Sequence, residues 1–259
     1  MADRIQVTNA TIELDDIGEG APVLFLHGFP ATRFLWSGVV PLLVDSGYRL
    51  LVPDLPGYGA SDAPAGVPID MGSQARWMLE MLDALGVAQA AVVAHDVGSA
   101  AAQIMTAIAP QRVRSLVVLD GVCAGEWAME AIKSIQAWDP KDARRLSPVL
   151  MRRLGKSNAL REMLTAYEGE SGGLRLIRAA RDLDPRQTEH IGEALRDSRV
   201  PALVLWGEHD EFLSIDAVGK PLAELLAARL VGLPGGHFTP LDCPAQVAGE
   251  LRRFLGEKV

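Results

Sequence analysis

One aspartate stands where this chain would carry its chemistry. The apolar run Ala90-Ala-Val-Val-Ala94 leads through His95 into Asp96, then Val97-Gly98-Ser99. Small residues two before and two after one polar side chain, between an apolar run and a helical run, mark a sharp strand-to-helix turn that lifts a nucleophile above a sheet. Here the nucleophile is a carboxylate. Two further segments complete a triad in the order nucleophile, acid, base. Gly207-Glu-His-Asp210 follows the apolar run Pro201 to Trp206, and Pro234-Gly-Gly-His237-Phe follows Ala228 to Leu233. His237 is the expected base, with Asp210 fixing its tautomer. Asp120, directly after Val113 to Leu119, is the alternative acid. The backbone amides of Phe29, in Leu26-His27-Gly28-Phe29-Pro30, and of Val97 are the expected oxyanion-hole donors. A bland reading exists for each: an aspartate at such a turn commonly caps a helix, and a buried histidine is commonly structural. Their placement after three separate strand candidates favours the catalytic reading. His27 and His95 are expected to brace loops, and His209 to be exposed.

The nucleophile type restricts the reaction. A carboxylate attacking an ester carbonyl gives an anhydride, whereas attack on a saturated carbon bearing an epoxide oxygen or a halide gives an alkyl ester that water can hydrolyse.

The elements that must position these residues are legible as an alternation. Continuous apolar runs at Pro22 to Leu26, Arg49 to Pro53, Ala90 to Ala94, Val113 to Leu119, Pro201 to Trp206 and Ala228 to Leu233 read as parallel strands buried on both faces. Helical spacing lies between them at Phe34 to Val44, Met71 to Leu85, Ser99 to Ala109, Ile215 to Leu226 and Ala245 to Leu255, which implies right-handed crossovers. Ile5 to Val7 and Thr11 to Leu14 alternate apolar with polar and predict an antiparallel edge hairpin. The alternation stops between about Val122 and Arg196, a stretch too long for a connecting loop. It reads as a helical insertion over the strand ends, with Trp127, Trp138, Met151 and Met163 packing or lining it. Its arginines, Arg144, Arg145, Arg152, Arg153, Arg175, Arg178 and Arg181, read as a solvated face.

Composition excludes other classes. With 259 residues, 49% hydrophobic and 22% charged, the chain suits a globular α/β protein. A formal charge of -8 repels phosphate, so nucleic acid is not an expected partner. Two cysteines, Cys123 and Cys243, make neither a disulfide framework nor a zinc-ligand spacing. No apolar leader or membrane-length run is visible, and a cytoplasmic setting is expected.

The motifs HGFP, DLPGYGASD, AHDVGS, WGEHD and PGGHF together resemble the α/β-hydrolase family, and the aspartate in the turn resembles its Asp-nucleophile branch of epoxide hydrolases and haloalkane or haloacetate dehalogenases. The resemblance implies an α/β-hydrolase fold: a mostly parallel eight-stranded sheet flanked by helices, with an inserted helical cap. The core is expected at residues 1–121 and 197–259 and the cap at 122–196. It also implies catalysis without metal or cofactor, through an alkyl ester on Asp96. The chain departs from each subfamily at the leaving-group partners. Haloalkane dehalogenases carry a Trp after the nucleophile and haloacetate dehalogenases an Arg there, with a second Arg three residues later, where this chain has Val97 and Ala100. Epoxide hydrolases use cap tyrosines, and the cap here offers Tyr167, with His190 as a second donor. Epoxide opening is the leading expectation because its missing parts are fewest. Dehalogenation follows, with Arg33 as a candidate for binding a substrate carboxylate. A lyase or cyclase using Asp96 as a base, and a ligand-binding protein without turnover, are the rival readings. The expected partner is a small-molecule substrate, with a homodimer left open.

Overall fold

In a computed structural model, residues 3–256 are described. Eight strands, β1 (Asp3–Val7), β2 (Ala10–Ile17), β3 (Ala21–Leu26), β4 (Tyr48–Pro53), β5 (Ala90–His95), β6 (Val113–Leu119), β7 (Ala202–Gly207) and β8 (Arg229–Leu233), form one sheet in the order β1-β2-β4-β3-β5-β6-β7-β8. The β1/β2 and β2/β4 pairs are antiparallel and all others parallel, so the expected edge hairpin and parallel core are both present.

Why the central strands are continuous apolar runs is visible in how their residues divide. Leu24, Val92, Ala94, Leu116, Val118 and Val204 join one core cluster, while Val23, Phe25, Ala91, Val93, Val117 and Leu203 join the other. Alternate side chains point to opposite faces and both faces are covered, so the strands are apolar apart from a few positions such as the buried Ser115 and His95. The first face is covered by α1 (Met71–Ala84) and α2 (Gly98–Ile108), and the second by the C-terminal helix, Pro244–Gly256.

Between β6 and β7 come six α-helices: α3 (Met129–Gln136), α4 (Leu146–Leu154), α5 (Asn158–Leu164), α6 (Gly169–Arg181), α7 (Arg186–Glu189) and α8 (Gly192–Ser198). The expected boundary at 196/197 falls inside α8, which packs against α2 and α9 (Lys220–Leu225). The first two and last three residues of the expected core lie outside the described residues. The short α10 (Thr239–Asp242) and the longer α11 (Pro244–Gly256) follow β8.

Two helix expectations are corrected. Phe34 to Val44 is two 3-10 turns, Arg33–Trp36 and Val40–Leu42, because Gly38 is pressed against Pro244 and Pro41 has no N–H to continue a helix. Ile215 to Leu226 opens as one π turn, Ile215–Gly219, and tightens to α9 where Pro221 withholds its donor. The arginine face holds for Arg144, Arg145, Arg152 and Arg153, which are exposed, and is corrected at Arg175 and Arg178. Arg175 donates to the carbonyls of Gly59 and Ala166, and Arg178 to those of Ala63, Pro64 and Val67, so α6 is fastened to the loop after β4.

Candidate active site

Five loops leave the carboxyl ends of β3, β5, β6, β7 and β8, where open α/β sheets place their sites. The turn after β5 is strained: Asp96 has φ +50°, a left-handed conformation costing roughly 1–2 kcal/mol for a residue with a Cβ. It persists because its surroundings leave no alternative. A Cβ on Gly98 would overlap the His27 carbonyl, and one on Gly28 would overlap Asp96 itself, so the β3 and β5 loops interlock only through glycine.

The structure brings Asp96, His237 and Asp210 together. His237 Nδ1 lies 2.9 Å from Asp210 Oδ2, and His237 Nε2 lies 3.7 Å from Asp96 Oδ2. Asp210 Oδ1 accepts the amides of Phe212 and Leu213 at 2.8 and 2.9 Å, which fixes the carboxylate and leaves Oδ2 for the imidazole. The Phe29 amide donates to Asp96 Oδ2 at 3.2 Å. Among the described residues the Val97 amide has no protein acceptor.

Burial opposes a charge on His237, but the bond to Asp210 and the charges of Asp96 and Asp210 outweigh it and push its pKa up to about 10. Burial likewise opposes ionisation of Asp210, and the His237 bond, its charge and the two amides hold the carboxyl below its usual range. The raised value favours an imidazolium on His237, facing Asp210 at 2.9 Å and Asp96 at 3.7 Å. His95 stays neutral, pushed down to about 4 by burial and then by His237, and its Nε2–H donates to the His237 carbonyl at 2.7 Å. His27 Nε2 accepts the Leu55 amide while Nδ1 donates to the Gly28 carbonyl. Both histidines brace loops as expected, and His209 is exposed.

Asp96 and His237 open into an apolar cavity of about 420 Å³. Phe29, Phe212 and Phe238 form its floor, and Ile132, Ile135 and Leu150 from the insertion line it above. Ser134, Arg153, Lys156 and Glu211 supply its other polar lining, and Lys156 Nζ pairs with Glu211 at 2.5 Å. These wall residues were not singled out in the sequence, though Ile132/Ile135 and Leu146/Leu150 carry the i, i+3 and i, i+4 spacing of an apolar helix face. Among the described residues no group of His, Cys, Asp and Glu side chains could hold a metal ion.

Most of the expected leaving-group contacts lie elsewhere. The Tyr167 hydroxyl, fully buried, donates to the Ala31 carbonyl at 3.0 Å and does not line the cavity. Burial pushes its pKa far above the ordinary value, so it is spent on packing. The His190 side chain is 92% exposed and points to solvent. Trp127 donates to Thr188 Oγ1 at 3.0 Å, away from the cavity. Trp138 does line it, but its indole N–H is directed to the Asp142 carbonyl at 3.1 Å. Arg33 lies in a separate cleft, bound to Asp54 at 2.5 Å and Asp15 at 3.0 Å, so it has no free guanidinium for a substrate at Asp96. Asp120 accepts the Gly207 amide at 2.6 Å and the Thr239 hydroxyl, and makes no bond to His237 Nδ1, which Asp210 occupies. Burial pushes its pKa up to about 8.

A family model described as the alpha/beta hydrolase fold matches residues 21–158, more than half of the chain. The chain belongs to the α/β-hydrolase family. An epoxide hydrolase of Caballeronia sordidicola is 23% identical to this α/β hydrolase, covering 97% of it and 92% of that protein. A fluoroacetate dehalogenase of a Burkholderia species is 28% identical over 98% and 93%. A 2-hydroxy-6-oxononadienedioate/2-hydroxy-6-oxononatrienedioate hydrolase of Klebsiella pneumoniae is 26% identical over 85% and 81%. Among solved structures, a haloalkane dehalogenase from Bradyrhizobium elkani superimposes with a TM-score of 0.84 at 23% identity, covering the whole chain and 98% of that one. At that identity the superposition speaks for the fold. No helix among the described residues is long and apolar enough to cross a membrane.

Proposed function

We propose that this α/β hydrolase opens epoxides through a covalent ester on Asp96. One observation carries the reading: a carboxylate on the turn after β5, gripped by the Phe29 amide and facing the His237–Asp210 pair, at the base of an apolar cavity. A carboxylate there is productive against a saturated carbon and unproductive against an ester carbonyl. Asp96 Oδ1 attacks an epoxide carbon, the carbon–oxygen bond breaks, and the ring oxygen leaves as an alcohol after taking one proton. Neutral His237 then takes a proton from water, and the hydroxide adds to the ester carbon. In this reading the Phe29 and Val97 amides hold the resulting oxyanion. Collapse releases the diol and returns Asp96 to a carboxylate.

Halide as leaving group has less support. Val97 has no side-chain donor, and the one cavity-lining indole is already bonded to a carbonyl. The test is diol formation from a panel of apolar terminal and aryl-substituted epoxides. The wild type is expected to form diols and Asp96→Ala none. Turnover of carboxylic esters by the wild type with no epoxide consumed would refute the proposal.

A further inference from the structure

Epoxide opening, on the reading above, leaves an alkoxide that needs a proton within the lifetime of the transition state, and the cavity holds few groups able to give one. The chain has three tyrosines, Tyr48, Tyr58 and Tyr167, and none lines the cavity. Of the polar liners, the Ser134 hydroxyl donates to the Ala131 carbonyl and the Trp138 N–H to that of Asp142. Lys156 reaches across to Glu211, with both ends of that pair more than half exposed. Arg153, also exposed, does not give up its proton in water. His237 is left as the buried acid beside the nucleophile, with Nε2 3.7 Å from Asp96 Oδ2.

We propose that His237 is the acid for ring opening as well as the base for ester hydrolysis, one imidazole serving both half-reactions through Nε2. The charges facing it make this self-consistent. Asp96 on the β5 turn and Asp210 on the β7 loop are carboxylates that hold a proton on the ring. Neutral His95 on β5 donates to the His237 carbonyl and its ring lies 5.0 Å from the His237 ring, and Asp120 after β6, with Oδ2 4.0 Å from His95 Nε2, is bonded to Gly207 and Thr239. The Phe29 amide fixes Asp96 Oδ2, so Oδ1 attacks and the departing oxygen moves off in a cavity that Nε2 also lines.

The balance closes. Oδ1–carbon forms as carbon–oxygen breaks, and the electron pair left on oxygen takes the Nε2 proton, giving an alcohol, a neutral ester and a neutral imidazole. Esterification removes the Asp96 charge that held the proton on, so His237 becomes a base when a base is needed. It then takes a proton from water and gives it to the departing alkoxide as the tetrahedral species collapses, and the Asp96 acid left behind hands its proton to Nε2, which restores the carboxylate and the imidazolium. A halide needs no such proton, so a resting imidazolium would contribute nothing to its departure.

The experiment is a single-turnover measurement of Asp96 alkylation, by rapid quench and peptide mass. It uses a terminal epoxide and an alkyl bromide of the same carbon skeleton, on wild type, His237→Gln and Lys156→Met. Alkylation by the epoxide is expected to slow by about 10²-fold or more in His237→Gln while alkylation by the bromide changes by less than about threefold, and in Lys156→Met, a change in the cavity wall, the two reagents are expected to change together. In the wild type, epoxide alkylation should fall as pH rises through the His237 titration read by NMR, while bromide alkylation should not fall there; this arm stands even if the variant fails to fold. Equal slowing with both reagents in His237→Gln, an unchanged epoxide rate in that variant, or slowing of the epoxide alone in Lys156→Met would overturn the assignment. If the bromide loads wild-type Asp96 and no epoxide does, epoxide opening itself fails and takes the assignment with it, an outcome read on the wild type alone.

Discussion

Replacing Asp210 by Asn keeps an oxygen for the Phe212 and Leu213 amides, so the loop after β7 should hold its shape. What changes is the atom facing His237 Nδ1, which becomes an NH2 that donates where a carboxylate accepted. The imidazole must answer with its lone pair on Nδ1 and its proton on Nε2, the wrong tautomer for taking a proton from water. Unit charges separated by the 2.9 Å of this bond interact by about 6 kcal/mol at an effective dielectric near 20. Part of that is offset by desolvation of both groups, which leaves a loss of about 4–5 kcal/mol in the hydrolytic transition state, or 10³–10⁴-fold. The assay loads Asp96 with an alkyl bromide and follows decay of the ester by mass, with circular dichroism confirming the fold. Ester decay within about threefold of wild type in a folded variant would refute the role given to Asp210.

Asp120→Asn mimics the protonated acid that burial favours near neutral pH and keeps an acceptor for Gly207, so it should retain most of the activity. If it loses activity as Asp210→Asn does, Asp120 is the triad acid instead. His237 has a raised pKa in the fold, so the stability it contributes is fully present below about 6.5 and is lost as pH rises through about 10. Chemical denaturation of wild type and His237→Gln should therefore converge over that range, and a gap constant with pH would contradict the charged resting state. Gly98→Ala forces a methyl against the His27 carbonyl. It should cost roughly 1–3 kcal/mol on thermal unfolding and depress activity by displacing the Phe29 amide. Arg178→Ala removes three bonds between α6 and the loop after β4. A melting temperature unchanged from wild type would show that these bonds do not hold the insertion.

The sheet was legible because burial on both faces leaves a largely apolar run with few competing readings, and the runs ending at Ala94, Trp206 and Leu233 lead into the loops that carry Asp96, Asp210 and His237. Asp96, His237 and Asp210 could be brought together from chain order alone, since neighbouring parallel strands end at the same edge. The helix over Phe34 to Val44 was not legible, because apolar spacing persists through Gly38 and Pro41 although the backbone cannot. The insertion was harder still. Tyr167 and Trp127 have the residue types of a leaving-group site, yet whether a hydroxyl or indole faces a cavity or a carbonyl such as that of Ala31 depends on tertiary packing. Arg33 was misread for the same reason: nothing in its local sequence shows Asp54 and Asp15 closing on it. The bond from His95 to the His237 carbonyl spans 142 positions, beyond any local pattern.

The most direct test of an Asp96 ester is a single turnover in heavy-oxygen water, with enzyme in excess of an epoxide that the wild type consumes. The oxygen joined to the substrate carbon then comes from Asp96, so the diol should emerge unlabelled and the Asp96 peptide should carry the label. A labelled diol with an unlabelled Asp96 peptide would mean that water attacks the substrate directly, and the covalent account would be wrong.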